Sequence, residues 1–380
     1  MGYTPLVLTE RVASRSSRVT GLDGLRGLAA VVVVVHHVAL AHFTWSEIYY
    51  NRGSERPKLD AIVSTPLHLA WAGTEAVYVF FIISGYALAL AVRSASYRPN
   101  SFLASRIVRL YLPTIASIIL AWTTFKLFPR PEGDGYGFWL DGSPRVYDFA
   151  SMLRDSVLVT GVTRGNSPLW SLVYEVLFSL LLPLYILVAR RMRATLALVF
   201  AALLSTLGFV YQTPAFIYMP MFLVGVVLAE SSGRWRPWVF EKVKMVRWRW
   251  GFYALLSLAL VGAVAQWYFT WTGSESLKMV LGFFLSFVSC SAIVAAAAGL
   301  PLIERFLTWK PIAWLGSISF SLYLVHEPII KAAAFTFQGS EIALVVAVLI
   351  AFAVATLFYR HIEKPIHRLS QRVKAHSGDL

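Results

Sequence analysis

Residues 24–43 read GLRGLAAVVVVVHHVALAHF, a stretch whose one formal charge, Arg26, stands at its start. A helix rises about 1.5 Å per residue, so twenty residues cover the roughly 30 Å of a bilayer's hydrocarbon core. Arg11, Arg15 and Arg18 precede the stretch and superficially suit a signal peptide. No small-residue cleavage site stands before the polar loop at 46–60, so the run reads as a retained first transmembrane helix.

The rest of the chain repeats this pattern. Apolar stretches fall at 24–43, 69–91, 107–127, 168–189, 194–211, 214–230, 251–271, 278–299, 314–337 and 342–361. The pair 194–211 and 214–230 is joined only by Gln212-Thr213-Pro214, short enough for a tight helical hairpin. Of the 380 residues 57% are hydrophobic and 14% charged. Soluble domains average about 45–50% apolar and about 25% charged, so this chain needs a lipid solvent. The expected fold is all-α, a polytopic transmembrane helical bundle of about ten spans.

Basic residues orient it. The formal net charge is +14, which in a soluble protein would suggest nucleic acid. Here the Lys and Arg residues fall mainly on alternate loops: the arm to Arg26, the stretch from Arg93 to Arg109, Arg190 to Arg193, 231–250, Arg305 with Lys310, and the tail from Arg360 to Lys374. Cytoplasmic loops collect such residues, so both termini are expected in the cytoplasm. The segment 231–250 interleaves tryptophan with basic residues. At a membrane surface that pattern fits an interfacial helix binding anionic lipid rather than nucleic acid. The long loop 128–167, on the opposite side, is either an acceptor-recognition element or a plain surface loop. Cys290 is the only cysteine, which rules out an intrachain disulfide and a Cys-based metal site. No metal is expected.

Ionisable side chains within a span are costly and are functional candidates by default. His36 and His37 close the first run; Arg26 and His37 are eleven residues, or about 16 Å, apart. Glu175 lies about 10 Å along the fourth span from its outer end. Depth counted from the two faces brings His37 and Glu175 to similar levels. A carboxylate beside an imidazole is a general-base arrangement, or else a structural tie between two helices. Adjacent His36 points about 100° away and suits helix packing. Arg106 and Arg109, spaced i,i+3, share a helix face at the boundary; they suit phosphate recognition or ordinary anchoring. His326, before Glu327-Pro328, reads as a second active-site wall or a packing residue.

The motifs, in order, resemble the membrane-bound acyltransferase 3 family over about residues 18–366. Leu22-Asp23-Gly24-Leu25-Arg26-Gly27-Leu28 followed by His37 looks like its opening signature. Phe80-Phe81-Ile82-Ile83-Ser84-Gly85, Arg106-Ile107-Val108-Arg109 with Pro113, and Leu169-Trp170-Ser171-Leu172 with Glu175 are similar to its next three. Ser319 to His326 and Glu363-Lys364-Pro365 match the late elements. Tyr78 departs from the Asp that many members carry two residues before the paired Phe.

The resemblance implies transfer of an acyl group, usually acetyl, from cytoplasmic acyl-CoA to a hydroxyl of a carbohydrate or related acceptor. It implies a catalytic set of His37, Glu175, Arg26 and Asp23. Arg106, Arg109, Arg26 and Ser84 would meet the acetyl-CoA donor, and Trp170, Tyr174 and His326 the acceptor. Residues 1–366 would form the transmembrane domain and 367–380 a basic cytoplasmic tail. The competing reading is a proton-coupled secondary transporter using the same His, Glu and Arg. It lacks a visible internal repeat.

Overall fold

The computed structural model describes residues 19–50, 62–93, 97–270 and 276–376. Arg11, Arg15, Arg18, Trp271 and residues 51–60 of the polar loop lie outside these, as do the last four residues. No strand occurs among the described residues. The helices that carry the fold are α1 (Thr20–Ala41), α2 (Gly73–Val92), α3 (Pro99–Leu127), α4 (Leu169–Arg191), α5 (Ala194–Val210) and α6 (Pro214–Glu230). They continue as α7 (Ser232–Lys244), α8 (Val246–Gly262), α9 (Ser276–Gly299), α10 (Lys310–Thr336), α11 (Glu341–Phe358) and α12 (Lys364–His376). Each of the ten apolar stretches falls mainly on one of these. The additional helices α7 and α12 are the two basic ones.

Six helical segments, Thr20–Ala41, Gly73–Val92, Pro99–Leu127, Leu169–Arg191, Leu277–Gly299 and Glu341–Lys374, are long and apolar enough to cross a membrane. A seventh results if α6 and α7, bent by 70° against each other, count as one span. The expected ten is therefore not reached on length and hydropathy alone. At 17 residues, α5 and α8 are short, and α10 carries Ser319, Ser321, His326 and Glu327 across its middle. The protein is a multi-pass membrane protein. Its outward faces agree: Leu180, Leu184 and Leu187 on α4, and Val345, Leu349 and Leu357 on α11, are all exposed, as a lipid solvent permits.

Glycine sets the closest helix contacts. A Cβ added to Gly27 would lie 2.4 Å from the Gly316 nitrogen, and one on Gly316 would lie 2.4 Å from the Asp23 carbonyl oxygen. Only glycine lets two backbones approach this closely, and small residues are the usual seam between membrane helices. Contacts from Gly21 against Glu304 to Gly27 against Gly316 ascend both segments together, so α1 and α10 run parallel. Ten residues beyond Gly27 stands His37, and ten beyond Gly316 stands His326. Equal steps of about 15 Å along parallel helices bring the two histidines to one level.

The hairpin between α5 and α6 forms as expected. Gln212 takes φ 50°, and the Thr213 N–H closes on the Gly208 carbonyl at 2.8 Å, the bond that ends a Schellman-type cap. Residues 128–167 are a folded cap at the end of the bundle opposite the first turn of α1. Arg130 is almost wholly buried, and its guanidinium donates to the Asp141 carbonyl at 3.0 Å and to Asp134 at 2.7 Å. Buried Asp155 accepts from the Tyr147 hydroxyl and from Thr163. The cap is tied to the helix Phe43–Tyr49 by Glu47, which accepts from the Phe138 N–H at 2.9 Å.

Replacing Gly316 by Val should force α1 and α10 apart. The expected outcome is a protein that inserts but melts well below the wild type in detergent, with activity lost in proportion to the folded fraction. Unchanged melting would show that the seam tolerates separation.

Candidate active site

A cavity of about 310 Å³ opens at the end of the bundle that carries the described termini. Its walls come from α1, α2, α3, α4, α10 and α12, and Arg26, Ser84, Arg106, Arg109 and Glu175 all line it. This end gathers five of the expected site residues, Arg106 and Arg109 among them because α3 starts at Pro99, earlier than its apolar stretch suggests. Proline suits the first turn of a helix, where its missing N–H is not needed. Arg106 and Arg109 thus sit well inside α3 rather than at its start.

The two arginines have different partners. Arg106 donates to the Glu175 carboxylate at 2.9 Å and to the Ser179 hydroxyl at 3.3 Å. The other Glu175 oxygen accepts from Ser84 at 3.2 Å. Both members of the ion pair are mostly buried, so this link across α2, α3 and α4 holds the cavity floor together. Arg26 and Arg109 form no ion pair or hydrogen bond among the described residues. They line the cavity together with the Glu363 carboxylate, which interacts with both; guanidinium groups outside a direct ion pair suit a phosphate or carboxylate ligand.

His37 is not at this floor, and its partner is not Glu175. Its Nδ1 lies 2.9 Å from the Val33 carbonyl oxygen and 3.1 Å from His326 Nε2. His326 Nδ1 lies 2.8 Å from the Leu322 carbonyl. Carbonyl oxygens only accept, so Nδ1 carries the proton in both rings. His37 then donates from Nδ1 towards the Val33 carbonyl and His326 Nε2 together. The Nε2 lone pair of His37 remains available as a base. Trp139, from the cap, stands with its ring centroid 5.4 Å from the His37 ring. His36 is turned away and bonds the Trp71 carbonyl at 3.0 Å, which is the packing role expected of it.

Tyr323, one helical turn before His326, separates the two polar centres. It lines the cavity, and its hydroxyl meets the Ser171 hydroxyl at 2.7 Å and the Pro168 carbonyl at 3.0 Å. Its ring lies 6.2 Å from that of His326. The segment leading into α4 is fixed just above. Pro328 lacks an N–H, which frees the Leu324 carbonyl from its helical bond; Asn166 donates to that carbonyl at 3.0 Å. Glu327 is fully buried, pairs with Lys331 at 2.6 Å and accepts from the Ser167 hydroxyl at 2.7 Å.

Three expected site residues lie elsewhere. Trp170 and Tyr174 do not line the cavity and pack instead in an aromatic cluster with Phe81 and Tyr218, with ring centroids 4.9 and 5.1 Å from Tyr218. Asp23 is half-buried at the glycine seam and is not part of the cavity wall. Tyr323, Ser171 and Ser179 adjoin the site residues and carry no formal charge to single them out in the sequence. Glu75 did carry one, a carboxylate three residues into α2. It is buried and accepts from Gln266 at 2.7 Å and Trp267 at 2.8 Å. Among the described residues no group of three His, Cys, Asp or Glu side chains is placed to hold a metal ion.

A membrane-embedded helical bundle with a cavity lined by arginines at one end and a hydrogen-bonded histidine pair towards the other has the features of a membrane-bound group-transfer protein. The chain belongs to the acyltransferase 3 family, whose acyltransferase-domain model matches residues 19–360. It is 26% identical to the O-acetyltransferase OatA of Staphylococcus aureus, over 92% of this chain and 57% of that protein. It is 25% identical to the peptidoglycan O-acetyltransferase OatA of Listeria monocytogenes, over 92% of this chain and 56% of the relative. A 28% identity to the acyltransferase MdmB of Streptomyces mycarofaciens covers 47% of this chain and 41% of that one. The chain thus spans a little over half the length of the OatA relatives. No solved structure matches it.

Removing one member of a buried ion pair leaves an uncompensated charge and costs about 3–5 kcal/mol, whereas removing both costs far less. Glu175→Met should therefore lower the melting temperature more than the double variant Glu175→Met with Arg106→Met. A double variant less stable than Glu175→Met would show that the pair does not act as a unit.

Proposed function

We propose that this chain is a membrane O-acetyltransferase that moves an acetyl group from acetyl-CoA to a hydroxyl of a carbohydrate or glycoconjugate. The observation that carries the reading is the pair of contacts at His37 Nδ1, to the Val33 carbonyl and to His326; with Nδ1 so engaged, Nε2 is left as a base. Family membership and the relatives' names support O-acetyl transfer, and the Listeria relative's name supports a glycan acceptor. The transporter reading explains neither.

The basic end of the bundle faces the cytoplasm, following the distribution of Lys and Arg. The donor enters there, with Arg26 and Arg109 holding its phosphates and the thioester arm pointing towards Tyr323. The acceptor approaches from the opposite end, beneath the 128–167 cap. His37 Nε2 takes the proton of the acceptor hydroxyl as its oxygen attacks the thioester carbonyl. The imidazolium that forms is stabilised because its Nδ1–H already points at a carbonyl oxygen and an imidazole nitrogen. The tetrahedral intermediate expels the CoA thiolate, which recovers the proton from His37, leaving an ester and free thiol. His326 plays the part that a carboxylate plays in a hydrolase triad, without a buried charge. The Glu175–Arg106 pair holds the cavity floor.

The test is thiol release from acetyl-CoA by purified protein in nanodiscs. His37→Ala should lower it at least about a hundredfold, the lower range for a lost general base, with folding retained. Arg109→Ala should instead raise the KM for acetyl-CoA about tenfold, the weight of one charge-assisted hydrogen bond. Full turnover by His37→Ala would overturn the assignment of the base.

A further inference from the structure

We infer that α12 is part of the donor site and reads the 3′-phosphoadenosine end of acyl-CoA, rather than trailing from the bundle as a separate basic tail. The inference rests on the cavity being the donor site. It starts from the length of the ligand. CoA joins a pantetheine arm to a pyrophosphate and then to an adenosine that carries a 3′-phosphate. A cavity of about 310 Å³ is at the lower end of ordinary ligand pockets, about 300–1,000 Å³. It cannot enclose that whole molecule, so the polar nucleotide end must lie at the mouth.

The mouth is built by α12. The chain leaves α11 through a single π-helical turn, Tyr359–Glu363, an irregularity that often marks functional sites. Glu363 lines the cavity and is engaged by the Ser321 hydroxyl. From there α12 lies along α3, the helix of Arg106 and Arg109. His367, Ser370, Gln371 and Lys374 all line the cavity. Their spacing of i, i+3, i+4 and i+7 is one face of a helix. These four are polar, while the apolar side chains of α12 lie on other faces.

Their chemistry differs from that of the deep arginines. Arg26 and Arg109 are fixed cations within the bundle, suited to the pyrophosphate. Gln371 carries a paired donor and acceptor, the pattern that recognises the edge of an adenine. It already meets the His367 ring at 3.1 Å, which orients its amide. Lys374, a turn further out, is a flexible point charge suited to a terminal phosphate monoester. Phe102 of α3 lines the same cavity and offers an aromatic surface for a base.

The experiment compares three acetyl donors on the full-length protein in nanodiscs: acetyl-CoA, acetyl-dephospho-CoA and S-acetyl-4′-phosphopantetheine. Lys374→Ala should raise the KM for acetyl-CoA about tenfold, bringing it level with the dephospho donor, and Lys374→Arg should restore it. Gln371→Ala should raise the KM for both nucleotide donors. Neither change should alter the KM for the phosphopantetheine donor, a selectivity that a merely structural helix could not produce. Equal losses with all three donors, or no change with any, would overturn the role of α12. Failure of the wild type to use or bind acetyl-CoA would instead overturn the donor reading beneath it.

Discussion

Backbone-to-backbone contact between Gly27 of α1 and Gly316 of α10 is the constraint on which the rest depends. With 2.4 Å between an added Cβ and the facing backbone, neither helix can slide or rotate without opening the seam. The two helices run parallel, so a fixed register at one end fixes it at the other. His37 and His326 are each ten residues further on, and their hydrogen bond at 3.1 Å follows from that register. The tautomer follows in turn, because Val33 and Leu322 supply carbonyls one turn below each ring. A packing rule of membrane helices thereby becomes a statement about which nitrogen is basic.

Charge is divided between the two ends of the molecule for a physical reason. An uncompensated ion in a low-dielectric interior is expensive, and a membrane interior is the extreme case. The buried ion pairs are closed units: Glu175 with Arg106 and Ser84, and Glu327 with Lys331 and Ser167. Arg26 and Arg109, outside any direct ion pair among the described residues, line with Glu363 a cavity that is open at the basic end. Towards the other end lie the His37–His326 pair and a tyrosine–serine hydrogen bond. Tyr323 stands between the two regions and contributes to both, with its hydroxyl held on the α4 side and its ring near His326.

Most helices were legible in the sequence, because apolar runs of membrane length have no other stable form. The residues of the cavity were legible too, through Arg26, Arg106, Arg109 and Glu175. Their partnerships were not. Depth arithmetic places His37 and Glu175 at similar levels, but it carries no information on which way each helix is turned. The α1–α10 seam decides that, and it pairs His37 with His326. Trp170 and Tyr174 stand next to cavity residues in sequence, yet a rotation of about 100° per residue turns them into an aromatic cluster. From sequence alone, 128–167 reads as either an acceptor-recognition element or a plain surface loop. Its order comes from Arg130 and Asp155, whose partners are local in space but scattered in sequence. The tail looked separate because its polar face has no apolar run to announce packing.

The central claim is that donor and acceptor enter from opposite ends of one bundle and meet at His37. Its most direct test is sided transfer in sealed proteoliposomes with the protein in one orientation. Acetyl-CoA is supplied only on the side of the termini, and an impermeant glycan acceptor only on the other. The account predicts acetylated glycan under this arrangement and none when the two are exchanged. Product formed only when both substrates share one side would contradict it.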